Sequence, residues 1–175
     1  MRIQRFTLLV AFCLAGPAAA DIVDSKTERT LSLPGAKAGI AIPREDWVVT
    51  REQTRSDGRS VYYALASALR DMTLWLFIDQ TPACQSGKAC LEYALKNKAY
   101  EGATEMRLGE HGAFSTAEFT LEPARDGNKY KHLVAATYVD GAWIDVHLFQ
   151  PLKPATSADT LMSTLKLVSV KRASE

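Results

Sequence analysis

Two histidines and an aspartate near the end of the chain have a spacing that would suit a metal site or an acid–base pair. Asp140-Gly141 separates two apolar segments, and both residues tolerate the positive φ that a two-residue hairpin turn requires. A hairpin closed at this turn places Val134 opposite His147. His132 and His147 are then diagonal neighbours, roughly 7 Å apart at the backbone. Asp145 lies two residues from His147 and therefore on the same face of the hairpin.

This group of side chains allows several interpretations. His132, Asp145 and His147 could be three ligands of a zinc site, or Asp145 could orient His147 for acid–base catalysis. The same residues could contact a small molecule or a protein. They could also pack beneath a helix that covers half of the face, with the histidines at its rim. Packing is the preferred interpretation, because neither a fourth ligand nor a nucleophile accompanies the group.

Side chains alternate along the two strands, so the hairpin presents two different faces. One face is apolar or small and is the predicted core face: Leu133, Ala135, Thr137, Val139, Ala142, Ile144, Val146 and Leu148. The other face carries His132, Val134, Ala136, Tyr138, Trp143, Asp145, His147 and Phe149. The candidate binding residues on it are His132, Tyr138, Trp143, Asp145 and His147. We assign no catalytic residue, no metal ligand and no cofactor.

The elements that position this hairpin are mostly strands. Alternating or apolar segments bounded by turn residues predict strands at 31–33, 39–42, 47–56, 59–67, 72–78, 105–108, 113–121, 129–139 and 142–150. Helical spacing predicts helices at 86–99, with Ser86 as N-cap, and at 157–165. A group of strands followed by a helix, an order that occurs twice along the chain, is typical of the α+β class. We predict an antiparallel sheet of about six to eight strands with two helices.

A single globular domain is predicted for residues 30–170. Residues 21–29 are polar and are predicted to form a flexible arm, and residues 171–175 a charged tail. Trp47 and Trp75 could line a pocket, but core positions are preferred for both because tryptophan is a large apolar side chain.

Residues 1–20 have the pattern of a secretory signal peptide. Two arginines in the first five residues precede a short apolar run over residues 6–14. Ala18 and Ala20 are the small residues that a signal peptidase recognises, so cleavage is predicted between Ala20 and Asp21. The apolar run is about half the length needed to span a bilayer. We therefore expect an exported protein, periplasmic or secreted, with no membrane span.

Composition narrows the class of partner. The 175 residues are 47% hydrophobic and 23% charged, which is ordinary for a globular protein. Without residues 1–20 the chain loses two of its 21 basic residues and none of its 20 acidic ones, which leaves a net charge of −1. Nucleic-acid binding needs concentrated positive charge, which this balance lacks, so no nucleic-acid partner is expected. The expected partner is an unknown protein or small molecule of the cell envelope.

Cysteine usage agrees with export. Cys13 lies in the predicted signal, so Cys84 and Cys90 are the pair that remains. An oxidising compartment favours a disulfide between them, and five intervening residues can close such a loop. A redox pair or a metal site is the alternative, but redox motifs use two intervening residues and zinc sites usually need four ligands.

Three features resemble the PsbP-like superfamily, which includes extrinsic photosystem subunits and DcrB-like bacterial envelope proteins. Residues 39–47, GIAIPREDW, are similar to the strand of that family that ends in proline and then tryptophan. The order of strands and helices is also similar, as is the hairpin 132–147 before the last helix. The resemblance covers about residues 30–170. It implies an α/β/α sandwich and, because the members are mostly binding and assembly factors, a non-enzymatic role.

These observations predict an exported, non-enzymatic binding or accessory protein. No nucleophile elbow, phosphate loop, dinucleotide fingerprint or His-Glu-x-x-His helix is present in the sequence. A metal-binding protein or enzyme that uses His132, Asp145 and His147 is the first alternative. A periplasmic immunity-type protein is the second.

Overall fold

A computed structural model describes residues 21–122, 128–152 and 160–172. The predicted signal peptide and the start of the predicted closing helix lie outside these residues. In chain order the elements are β1 (Asp21–Asp24), β2 (Glu28–Ser32), β3 (Ala38–Pro43), β4 (Val48–Thr54), β5 (Ser60–Ser67), β6 (Met72–Asp79), α1 (Gly87–Leu95), a 3-10 helix (Lys98–Tyr100), β7 (Thr104–His111), β8 (Phe114–Leu121), β9 (Tyr130–Val139), β10 (Ala142–Pro151), α2 (Thr160–Leu165) and β11 (Ser169–Arg172).

The strands form two antiparallel sheets. The large sheet has seven strands in the order β4-β5-β6-β10-β9-β8-β7, and the small sheet has four in the order β1-β2-β3-β11. The α+β class, the number of strands in the main sheet and the two helices are confirmed. The small sheet is an addition that the sequence did not predict as a separate unit.

The hairpin of β9 and β10 has the predicted register. Asp140 and Gly141 adopt φ values of 50° and 85°, as the tight turn requires. Val134 pairs with His147 and His132 with Phe149. The alternation of side chains along both strands therefore divides the interior into two separate cores.

The larger core lies between one face of the large sheet and a layer made of the small sheet and α2. It contains the predicted core face of the hairpin together with apolar side chains of β2, β3, β5 and β6. Tyr63 of β5 is fully buried in it, and its hydroxyl donates a hydrogen bond of 2.8 Å to the carbonyl of Ser32 in β2. This bond joins the two sheets through the middle of the core.

The smaller core lies under α1, on the opposite face of the large sheet. Cys90, Leu91 and Ala94 point inward from the helix. Ser86 is the N-cap, as predicted, and its hydroxyl accepts from the Ala89 amide. Gly87 allows a close approach here, because a Cβ at this position would lie only 3.1 Å from the carbonyl oxygen of Ala136 in β9. The helix N-terminus thus lies directly against the sheet.

The Cys84–Cys90 disulfide is present, as predicted. It ties the loop before α1 to the first turns of the helix. Both cysteines are buried in the smaller core.

The structure corrects the sequence prediction at three places. The predicted arm 21–29 forms β1 and the start of β2, because Ile22 packs against the larger core and β1 pairs with β2 along its length. The helix predicted to reach residue 99 ends at Leu95. Asn97 then caps a 3-10 helix by accepting from the Ala99 amide. Lys171 and Arg172 of the predicted tail belong to β11, which pairs with β3.

Replacing both cysteines, Cys84→Ala with Cys90→Ala, should lower the free energy of unfolding by about 2–3 kcal/mol, because the short cross-link no longer restricts the unfolded chain. Urea denaturation followed by far-ultraviolet circular dichroism measures the change. Reductant should lower the midpoint of the unaltered protein and leave that of the double variant where it is. Equal midpoints for the unaltered protein with and without reductant would contradict a stabilising disulfide.

Candidate functional site

The candidate binding residues all lie on the face of the large sheet that α1 partly covers, but they do not form one cluster. His132 and His147 meet beside the end of the 3-10 helix. Trp143 and Asp145 line a separate groove closer to α1. Tyr138 is half-buried and packs against the smaller core.

The two histidines form a hydrogen-bonded pair inside the protein. His132 Nδ1 lies 2.8 Å from His147 Nε2, and the Tyr100 hydroxyl lies 3.3 Å from His147 Nδ1. His132 Nε2, the last nitrogen of this hydrogen-bonded series, is buried and has no hydrogen-bond partner among the described residues. A neutral imidazole has one donor and one acceptor. Whichever nitrogen of the pair donates, this last atom is left unsatisfied.

Burial keeps both rings uncharged. His132 is 8% exposed and His147 4% exposed, so the expectation that they sit at the rim is wrong. Phe119 and Phe149 stack on His132 with ring centroids 5.2 Å and 5.5 Å away, which removes water from both of its faces. Burial lowers the pKa of His132 to about 4, and burial and then the neighbouring His132 lower that of His147 to about 3.

Asp145 does not join the histidines. Both ring nitrogens of His147 are engaged, one by His132 and one by Tyr100, so neither is left for a carboxylate. Within residues 21–122, 128–152 and 160–172, no group of three His, Cys, Asp or Glu side chains is placed to hold a metal ion. The geometry therefore favours neither the three-ligand zinc site nor the Asp145–His147 acid–base pair.

An apolar cavity of about 300 Å³ opens over the histidine pair. Its lining is Trp75, Ala99, Tyr100, Leu121, Tyr130, His132, His147 and Phe149. Trp75 is 41% exposed, so the preferred core position is wrong for it, whereas Trp47 is buried in the larger core as expected. Trp75 pairs with His147 across β6 and β10. This pairing joins two strands that are far apart in the sequence, and nothing in the apolar run 72–78 predicts which strand it pairs with.

A second, wider groove of about 710 Å³ lies on the other side of Tyr100, whose ring lines both spaces. Trp143 and Asp145 lie along it, and Trp143 Nε1 and Asp145 Oδ1 are buried without hydrogen-bond partners. Burial raises the pKa of Asp145 to about 7 and, with Asp145 nearby, that of the Tyr100 hydroxyl. Tyr100, for which the sequence carries no signal, is the one described residue that lines both spaces.

No helix among the described residues has both the length and the apolar character needed to cross a membrane.

The neutral histidines predict how stability depends on pH. In the unfolded chain each histidine binds a proton below about pH 6.5, whereas in the folded protein each resists protonation until about pH 4 or 3. The free energy of unfolding should therefore fall as pH falls through this interval, by about 1 kcal/mol per pH unit for each histidine. Asp145 acts in the opposite direction, because the folded protein retains a proton there that the unfolded chain releases above about pH 4.

The net effect is a loss of about 1 kcal/mol per pH unit between pH 6 and pH 4.5. Urea denaturation at several pH values measures this slope. Asp145→Asn should make it steeper, and His147→Gln should make it flatter. A slope that neither substitution alters would show that these groups titrate in the folded protein as they do in the unfolded chain.

Comparison with known proteins finds solved structures that align with this chain at low sequence identity. No family model matches the chain, and no curated protein matches it. A structure from Bacteroides thetaiotaomicron aligns with 81% of this chain at 14% identity and a TM-score of 0.49, and this chain spans about half (47%) of its length. The Ran-binding protein Mog1p of Saccharomyces cerevisiae aligns with 83% of this chain at 12% identity and a TM-score of 0.49, over 96% of its own length. The PsbP-like assignment stays a prediction.

Proposed function

We propose that this protein is an exported, non-enzymatic binding protein whose apolar cavity holds a small, uncharged ligand. The observation that carries the proposal is the unsatisfied His132 Nε2 at an aromatic-lined cavity beside the half-exposed Trp75. The resemblance to a superfamily of binding and assembly factors agrees with this role.

The lining of the cavity supports an apolar ligand. Trp75 makes edge-to-face contacts with His147 and Phe149, with ring centroids 5.4 Å and 4.8 Å apart, so its ring is held in place while 41% of the residue stays exposed. Covering such a surface is favourable by about 25 cal/mol for each Å² of apolar area removed from water. A volume of about 300 Å³ suits a small molecule rather than a protein segment.

The electrostatics support an uncharged ligand with one polar group. None of the lining side chains that the structure describes carries a formal charge while the two histidines are neutral. A charged ligand would lose its hydration with no ion to pair with, which is costly. One hydrogen-bonding group on the ligand, placed opposite His132 Nε2, would satisfy the buried nitrogen.

The same lining supports binding rather than catalysis. Among the described residues, it contains no serine, cysteine, lysine or carboxylate that the histidine pair could activate. Both nitrogens of His147 are already hydrogen-bonded, and His132 is surrounded by aromatic rings. The pair therefore serves as a fixed polar group on an apolar wall.

Calorimetric titration with N-phenyl-1-naphthylamine, a neutral aromatic probe with one N–H group, tests the cavity. We expect saturable binding at one site, weakened about tenfold or more by Trp75→Ala, because a large share of the apolar contact surface is removed. Leu69→Ala is the matched control, since Leu69 is 83% exposed in the turn before β6 and does not line the cavity. Equal affinities for the unaltered protein and the Trp75→Ala variant would contradict the proposal.

Export is the second part of the proposal. The leader-like residues 1–20 support it, and the Cys84–Cys90 disulfide is consistent with an oxidising compartment. After expression of the full chain in a Gram-negative host, intact-mass analysis of the osmotic-shock fraction should find a protein that begins at Asp21 and has no free thiol. Recovery of the chain with Met1 attached, in the cytosolic fraction alone, would contradict export.

A further inference from the structure

The groove on the other side of Tyr100 differs chemically from the apolar cavity. Aromatic rings form much of its wall: Tyr62, Phe77, Tyr93, Tyr100 and Trp143. Phe77 and Tyr93 meet Trp143 edge to face, with ring centroids 5.3 Å and 5.7 Å away, which holds the indole in one orientation. The groove therefore offers a rigid apolar wall to a ligand.

Two buried polar atoms along this groove lack hydrogen-bond partners among the described residues, and one is a donor whereas the other is an acceptor. Trp143 is 7% exposed, and its Nε1 can only donate a hydrogen bond. Asp145 Oδ1 is excluded from solvent and, when ionised, can only accept one. Each unsatisfied group costs about 1–3 kcal/mol. A single ligand that carries both an acceptor and a donor would satisfy both atoms.

Charged groups are placed differently along the same groove. Asp145 lies on β10, in the floor of the groove, whereas Lys96 and Arg55 are exposed at its edge. Asp79 also lines the groove, but its Oδ1 already accepts from the Thr81 amide and hydroxyl. The buried carboxyl is thus the one in the floor, whereas Lys96 and Arg55, which also pairs with Asp57 at 3.7 Å, lie at the edge.

From this arrangement we propose that the groove is a second ligand site, and that its ligand is a small zwitterion, a free amino acid with an apolar side chain. The ammonium group donates to Asp145 Oδ1, and the carboxylate accepts from Trp143 Nε1 and faces the basic edge at Lys96 and Arg55. The side chain packs against the aromatic wall. Charge-assisted hydrogen bonds of this kind are among the strongest in proteins.

The burial of Asp145 agrees with a cationic partner. Desolvation raises the pKa of this carboxyl to about 7, which means that its ionised form lacks compensation in the unliganded protein. An ammonium group placed beside it supplies that compensation. An aromatic wall adds attraction for a cation through the negative faces of the rings.

Calorimetric titration with three matched probes tests the proposal: L-phenylalanine, 2-phenylethylamine with the ammonium group alone, and 3-phenylpropanoate with the carboxylate alone. We expect L-phenylalanine to bind at least tenfold more tightly than either single-charge probe. Weaker or equal binding of L-phenylalanine would overturn the proposal.

Variants locate the binding. Asp145→Asn keeps the size of the side chain and removes its charge, and Trp143→Phe removes the indole N–H; each should weaken L-phenylalanine binding at least tenfold. Leu69→Ala is the control and should leave it unchanged, because Leu69 is 83% exposed and does not line the groove. Full binding in folded Asp145→Asn would overturn the proposal. If that variant does not fold, as judged by circular dichroism, Trp143→Phe and the three-probe comparison decide. The naphthylamine titration reports on the other cavity, so the two proposals fail separately.

Discussion

The pairing of β9 with β10 is the interaction on which the rest of the structure depends. The Asp140-Gly141 turn fixes its register, and the register fixes which side chains enter which core. Shifting one strand by one residue would exchange the two faces of that strand: a shift of β9 would send His132 into the larger core and Leu133 under α1. One turn of two residues thus determines both the packing of the domain and the position of the candidate site.

The hydrogen-bonded series of Tyr100, His147 and His132 determines where the candidate site has an unsatisfied polar atom. Burying three hydrogen-bonding groups among aromatic rings is costly unless each finds a partner. The series provides partners at two of its links and leaves His132 Nε2 without one. If every group in this series had a partner, packing would account for all of them. The unpartnered His132 Nε2 is the atom on which the proposed ligand site rests.

Local signals in the sequence were sufficient for the hairpin and insufficient for the site. Alternation and the turn residues predict which side chains of β9 and β10 share a face, and the structure confirms that assignment. The histidine pair, however, needs Phe119 from β8 to exclude water and Tyr100 from the 3-10 helix to complete the hydrogen bonds. Trp75 reaches the cavity only because β6 pairs with β10. These partners are brought together by strand order, which no short segment of sequence specifies.

The segment from Cys84 to Tyr100 contains the disulfide and also contributes lining residues to the wide groove and to the apolar cavity. The disulfide ties the loop before α1 to the first turn of the helix, and Gly87 lets the start of α1 approach β9 closely. The helix then carries Tyr93 and Ala94 to the edge of the wide groove. Five residues after the end of the helix, Tyr100 enters between the groove and the apolar cavity. Because its hydroxyl is bound to His147 and its ring packs on Phe119, movement of this tyrosine must change both spaces at once. Tyr100 is thus the residue through which the segment that follows the disulfide contributes to the lining of both spaces.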